Sequence, residues 1–210
     1  LHVWVGLEWD GAYLKQFVHE GTWLLIVSIM LSGILVLYIF RSHLNFLENN
    51  KVLKILTYVF IFQNVFLAAS VAVRNVWYIS YFNLAFKRIG VFFFLAAVIY
   101  GMYTVFVKVN AQKSIYYLVR KNSVAIYLLL VSVGFTNWDS LIAKYNFAHA
   151  ETAFVHLRFL SKLSDKALPH LIRPLEELEK VKQEQEVNYG RDNYEITAAD
   201  YNRRIHDRVM

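Results

Sequence analysis

Residues 55–73 read ILTYVFIFQNVFLAASVAV, nineteen residues in a row without a formal charge. At a helical rise of about 1.5 Å per residue this stretch covers about 28 Å, close to the ~30 Å of a bilayer's hydrocarbon core. Three more apolar runs follow the same rule at residues 22–40, 89–107 and 123–136. The last run is short. Extending it back through residues 115–118 would carry Arg120 and Lys121 into the span, which costs several kcal/mol, of the order of 3 for each centrally placed base. The sequence therefore predicts a fourth helix that starts near Asn122 and ends near Trp138, with a re-entrant or buried helix as the alternative.

Composition agrees. Hydrophobic residues make up 57% of the 210, and only 18% are charged, below the roughly 25% of soluble domains. Residues 1–136 hold eleven Lys and Arg against four acids, Glu8, Asp10, Glu20 and Glu48. The rest of the chain holds eleven bases and twelve acids. A basic, acid-poor apolar part joined to a balanced polar part reads as a membrane domain followed by a water-soluble one. The net charge of +6 does not point to nucleic acid, because the excess bases flank apolar runs where phospholipid headgroups account for them. The absence of cysteine excludes disulfides and thiolate metal sites.

The expected fold is all-α: a polytopic transmembrane helix bundle over residues 22–136, then a soluble helical tail over 137–210. Residues 1–21 form a pre-membrane segment. The chain begins at Leu1 inside an aromatic stretch, so it reads as truncated, with earlier transmembrane helices of the same chain missing. Aromatic residues such as Trp23, Tyr38, Tyr58, Tyr116 and Trp138 sit near run ends, as interfacial rings do. Residues 74–88 are aromatic-rich and too short to span, which predicts an interfacial amphipathic helix or turn. Short-loop bases set the orientation. Arg41, Lys51, Lys54, Lys108, Lys113, Arg120 and Lys121 lie on one side, and Lys15, Arg74, Lys87, Arg88 and Lys144 on the other. Seven against five makes the first side cytoplasmic and the tail extracytoplasmic.

In the tail, Asp139 is expected to cap a helix bearing Leu141, Ile142 and Tyr145. Phe154, Leu157, Leu160 and Leu163 carry helical spacing, and Ala167, Leu168, Leu171 and Ile172 follow. Pro174 opens a charged helix through Glu186, and Thr197 with Asp200 marks a capped start to the last one.

Several residues stand out. Gln63 and Asn64 lie mid-run, and two amides in hydrocarbon need partners. They read as interhelical hydrogen-bonding groups or as the lining of a polar path. Arg74 and Asn75, with Lys87 and Arg88, stand at neighbouring run ends, where they suit an anion or a lipid headgroup, or simply snorkel. Asn137, Trp138 and Asp139 mark the membrane boundary. His149 and His156 are spaced to share a helix face, but no H-E-x-x-H motif, phosphate loop or nucleophile elbow occurs, so no metal, cofactor or catalytic group is assigned.

Five phrases carry a resemblance: residues 18–23 (VHEGTW); Arg74-Asn75 with Tyr78-Ile79; residues 86–90 (FKRIG); Asn137-Trp138-Asp139 with residues 142–146 (IAKYN); and residues 160–169 (LSKLSDKALP). In this order the chain resembles the C-terminal part of an uncharacterised family of bacterial multi-pass membrane proteins, a domain of unknown function, with Bacteroidetes-type members the most similar. The family usually carries Gly-Leu-Thr where this chain has Asn83-Leu84-Ala85. The resemblance implies a multi-pass protein of the bacterial inner membrane and no assigned activity.

On these grounds the chain reads as a non-enzymatic scaffold, sensor or accessory subunit of the envelope, embedded in the phospholipid bilayer, with an envelope protein as the tail's partner. The alternatives are a transporter or channel with a polar path at Gln63 and Asn64, and a membrane-bound lipid or glycan enzyme.

Overall fold

The computed structural model describes residues 24–35, 38, 51–189 and 195–210. Every regular element among them is helical, so the fold is all-α. The elements are α1 (Leu24–Leu35), α2 (Lys51–Phe82), α3 (Phe86–Asn110), α4 (Ile115–Phe135), α5 (Trp138–Ala148), α6 (Leu157–Leu160), a 3-10 turn (Asp165–Ala167), α7 (Leu168–Leu171), α8 (Leu175–Tyr189) and α9 (Ala198–His206). Three of them, α2, α3 and α4, are long and apolar enough to cross a membrane. The run at 22–40 is described over α1 and at Tyr38. Trp23, and the phrase at residues 18–23, lie outside the described residues.

α2 differs from its expectation. The aromatic stretch after Arg74 is not a separate interfacial piece but the last turns of one 32-residue helix, about 48 Å long. No Gly or Pro interrupts residues 51–82, so nothing breaks its hydrogen-bond ladder. It stops at Asn83, whose φ of 63° is the left-handed conformation that ends helices and that Asn tolerates; the Asn83 N–H bonds to the Ile79 carbonyl at 2.8 Å. α3 stops in the same manner. Gln112 has φ 48°, and Lys113 N–H reaches the Lys108 carbonyl at 3.0 Å. α4 also begins earlier than expected, at Ile115 rather than near Asn122. Arg120 and Lys121 are both exposed within its first two turns, where long side chains reach outward instead of being buried.

By packing, the chain forms two compact units. The first holds α1, α2 as far as Asn75, α3 from Gly90 and α4 as far as Gly134. Its core combines Ile29 of α1 with Ile61, Ala68 and Val71 of α2, and Leu95, Met102, Val105 and Val109 of α3. Buried positions on α2 recur at 57, 61, 64, 68, 71 and 75, the three-four spacing of a helix packed along one face. Its other faces are equally apolar and exposed, with Phe62 at 73% and Phe66 at 62%. A soluble helix could not sustain that exposure, but a lipid-facing one does.

The second unit joins Val76–Ile89 to Phe135–Met210. The segment that the sequence placed in the interface is thus part of the tail's own module. The core is made by Ile142, Ala143 and Phe147 of α5, Leu157 and Leu160 of α6, Leu171, Leu178, and Tyr201 and Ile205 of α9, with Leu84 and Ile89 packed against it. The expected helix through Phe154, Leu157, Leu160 and Leu163 is only one turn long. All four side chains are buried as expected, but Phe154 lies outside the helix, with its N–H bonded to the Tyr81 carbonyl at 2.9 Å. α5 is capped by Asn137, whose side chain accepts from Ser140 N–H, rather than by Asp139. The Thr197 cap of α9 is present, with its hydroxyl accepting from the Asp200 N–H at 3.0 Å.

Candidate functional site

A dense polar construction in the second unit is built on the turn between α2 and α3. The turn leaves backbone groups without helical partners, and Asn146 supplies them. Its Oδ1 accepts from Leu84 N–H at 2.8 Å, and its Nδ2 donates to the Leu84 carbonyl at 3.0 Å. A side-chain carboxamide thus pairs with both backbone groups of one residue. Asn83 answers from the other side, pointing Nδ2 at the Ala153 and Phe154 carbonyls at 3.4 and 3.3 Å. Both asparagines are buried. Asn146 lies on the face of α5 that carries Ile142, Ala143 and Phe147, where an apolar residue is the default. That position was the signal available in the sequence. Its partner, 62 residues away, was not.

Around this bracket stands an aromatic cluster. Tyr81 meets Tyr189 edge-on at 5.1 Å, Phe154 meets Tyr189 at 5.7 Å, and Phe154 meets the His156 ring at 4.6 Å. His156 Nδ1 is 3.2 Å from Glu195 Oε1, which makes Nδ1 the donor toward the carboxylate, and Glu195 Oε2 accepts from Arg158 N–H at 3.1 Å. One carboxylate therefore fixes both a histidine ring and a backbone amide, and ties the approach to α9 to the start of α6. The Tyr189 phenol donates to the Thr152 carbonyl at 3.1 Å, and burial beside Tyr81 pushes it up from the usual phenol range. Sequence reading passed over the His156–Glu195 pair because its members are 39 residues apart.

Arg88 is absorbed by this construction. Its Nη1 donates to the Phe82 carbonyl at 2.6 Å, and its guanidinium lies 4.5 Å from the Tyr78 ring centroid. A cation at the end of α2 interacts favourably with the last carbonyls and stacks on an aromatic face. Lys87 is exposed. Arg74 is half-buried and Asn75 buried in the first unit, whereas Lys87 and Arg88 belong to the second. At the boundary, Asn137 caps α5, Trp138 is half-buried, and Asp139 Oδ1 accepts from Ser164 N–H at 3.2 Å, holding the loop before the 3-10 turn.

Gln63 and Asn64, neighbours in sequence, part company. Gln63 is exposed, and Asn64 points into the core at 1% exposure. Asn64 Nδ2 donates to the Phe60 carbonyl of its own helix at 2.8 Å, and its Oδ1 has no donor. An interhelical polar contact occurs elsewhere: Asn122 of α4 donates to the Thr104 hydroxyl of α3 at 3.0 Å, beside Gly101. His149 and His156 do not share a helix, since the first follows α5 and the second precedes α6. Among the described residues, no three His, Asp or Glu side chains gather as metal ligands.

A family model described as a domain of unknown function (DUF4153) matches residues 3–173, most of the chain. The chain belongs to this family. The match includes the bracket of Asn83 and Asn146, together with His156. Glu195 and all of α8 and α9 lie beyond it. The Asn83 φ of 63° is one that Gly adopts freely and Asn adopts at modest cost. No curated protein and no solved structure matches the chain.

Proposed function

We propose that this DUF4153 protein is an integral membrane protein of the bacterial envelope, with Bacteroidetes-type relatives, and that its C-terminal unit is a docking module of a scaffold, sensor or accessory subunit. The carrying observation is the bracket of Asn146 and Leu84. It makes the turn after α2 and the tail one compact unit, a defined surface of the kind a partner can meet.

One topological consequence follows. Leu84 lies between α2 and α3, and Asn146 follows α4, so a direct hydrogen bond between them requires both on one side of the bilayer. α3 and α4 then cross as a pair. The count of short-loop bases favours the extracytoplasmic side for this face and for the tail. The chain has no cysteine, so single-cysteine variants report cleanly. Lys87→Cys and Lys166→Cys, both exposed sites, are expected to react with a membrane-impermeant thiol reagent from the same side; reaction from opposite sides overturns the topology.

The docking role itself is tested with a photo-crosslinking residue at Val187, exposed on α8, in the full chain in its native membrane. Adducts to a single envelope protein are expected. Adducts only to lipid would overturn the role. The separate faces of Gln63 and Asn64 give a continuous polar path little support, and the engaged carboxylate of Asp139 gives none to an enzyme centred there.

A further inference from the structure

α6 lies against the first residue of a helix of membrane length. Phe159 of α6 meets Phe86, which opens α3, edge-on with ring centroids 6.1 Å apart. Both residues belong to the second unit. The charge-free run of α3 starts at Ile89, so residues 86–88 stand where a spanning helix leaves the hydrocarbon. The contact of Phe86 with Phe159 brings α6 to that same level. Phe86 is 45% exposed, an apolar surface in the zone where aromatic rings meet headgroups.

A lysine stands on each side of this contact. Lys87 follows Phe86, and Lys162 comes one turn after Phe159, with its N–H bonded to the Phe159 carbonyl at 3.1 Å. Both side chains are exposed. Three carboxylates of this unit are taken up internally. Asp139 accepts from the Ser164 N–H, Asp165 from Arg208 Nε at 3.0 Å, and Glu195 from the His156 ring and the Arg158 N–H. Among the described residues, no carboxylate lies within ion-pair distance of Lys87 or Lys162. Residues 156–173 hold Arg158, Lys162, Lys166 and Arg173 against Asp165 alone, whereas α8 holds five acids and two bases. The cationic segment of the unit is therefore the one that touches the start of α3.

Charge and place together set the chemistry that fits. Two ammonium groups at the edge of the hydrocarbon favour an anion with an apolar tail. A soluble anion has nothing to lay against Phe86. A zwitterionic headgroup brings its own cation and gains less from the lysines. A phospholipid whose headgroup carries a net negative charge meets both conditions, with its phosphodiester toward the lysines and the start of an acyl chain against Phe86.

We propose that Lys87 and Lys162 hold the phosphodiester of an anionic phospholipid on the tail's side of the bilayer, anchoring the C-terminal unit to that leaflet. The proposal rests on the reading of α3 as a membrane-crossing helix.

The test reconstitutes the full chain into phosphatidylcholine vesicles carrying a trace of phosphatidylglycerol with a diazirine near the head of its acyl chain. After irradiation, adducts are mapped by peptide mass spectrometry. Adducts at residues 86–89 and 157–166 are expected to exceed those from the same diazirine on phosphatidylcholine by at least about fivefold, the scale of one base near an anionic surface. Excess unlabelled phosphatidylglycerol should suppress them, and soluble glycerol phosphate should not. Lys87→Gln combined with Lys162→Gln should remove the preference, with adducts along residues 124–133 of α4 as the unchanged reference. Lys180→Gln, which removes a lysine from α8, should leave the preference intact. Equal labelling by the two lipids overturns the proposal. So does a preference that survives the double substitution, one that falls as far in Lys180→Gln, or suppression by glycerol phosphate. A chain that an alkaline carbonate wash strips from the vesicles fails the membrane reading itself, whereas a chain that stays and shows no preference fails this site alone.

Discussion

The two units of this chain use the same polar residues in opposite ways. In the first, side chains mostly turn back on their own helix: Thr57 bonds the Leu53 carbonyl and Asn64 the Phe60 carbonyl, each four residues back. In the second, they reach across the chain: Asn146 to Leu84, Tyr201 to the Leu171 carbonyl, and Arg208 to the Ser161 and Leu163 carbonyls. The difference follows from the backbone. Long helices satisfy their N–H and C=O groups internally, which hydrocarbon demands, so their polar side chains have little left to do but satisfy themselves. A small module of short helices and irregular links leaves many backbone groups unpaired, and buried side chains must complete them.

The sharpest way to break this contrast is to remove the bracket. Asn146→Ala strands two backbone groups of Leu84 and should destabilise the second unit by about 2–4 kcal/mol. Hydrogen exchange of the full chain in micelles should show deprotection at residues 81–89 and 142–155, with α2 unaffected between residues 55 and 73. Uniform deprotection along α2 would mean that the two units are not separable in energy.

Next comes Tyr201, 1% exposed, whose hydroxyl donates to the Leu171 carbonyl at 2.9 Å. Burial pushes its phenol well above the usual range. The folded state therefore holds the proton after an unfolded chain, titrating near pH 10, has lost it. The contribution is complete below about pH 10 and declines as pH rises toward the folded value, by about 1.4 kcal/mol per unit. Tyr201→Phe should cost about 1 kcal/mol at neutral pH and flatten that alkaline slope in chemical denaturation.

In the first unit the expected effects are smaller. Asn122→Leu removes the hydrogen bond to Thr104 and should cost about 0.6 kcal/mol, typical of an interhelical bond in a membrane. Asn64→Leu removes an amide whose Oδ1 is buried without a donor, and should be neutral or stabilising. Thermal unfolding in detergent separates the two. A large loss at Asn64 would mean that its oxygen has a partner in the native bilayer.

The smallest effect belongs to Asp200, whose carboxyl is held below the usual range first by the Thr197 hydroxyl and then by Arg203 and Arg204. Its contribution is present above the ordinary carboxylate range near pH 4 and is lost as pH falls through the lower folded value. Asp200→Asn should remove a slight acid-dependent fraying of α9, measurable by amide exchange at residues 198–201.

Much of this organisation was legible in the residues. Charge-free runs of about nineteen residues announce helices of membrane length, because hydrocarbon thickness and helical rise are both constants. The Thr197 cap was readable because a cap is decided by residues three apart. The run of Phe154, Leu157, Leu160 and Leu163 was readable as burial but not as a helix, since the carbonyl that claims the Phe154 amide belongs to Tyr81, 73 residues earlier. Gln63 and Asn64 looked alike in sequence and were separated only by which face of α2 meets a neighbour.

What the sequence determined by itself is therefore local: which segments are apolar enough to cross, where helices can be capped, and that no Gly or Pro stops α2 before Phe82. The tertiary structure alone decided that the last turns of α2 belong to the tail's core, that Asn146 completes the turn at Leu84, and that Phe159 meets Phe86. Apolarity and helical spacing are properties of neighbours in the chain. Hydrogen-bond completion is a property of whichever groups the fold brings together, across 62 residues in the case of Leu84 and Asn146.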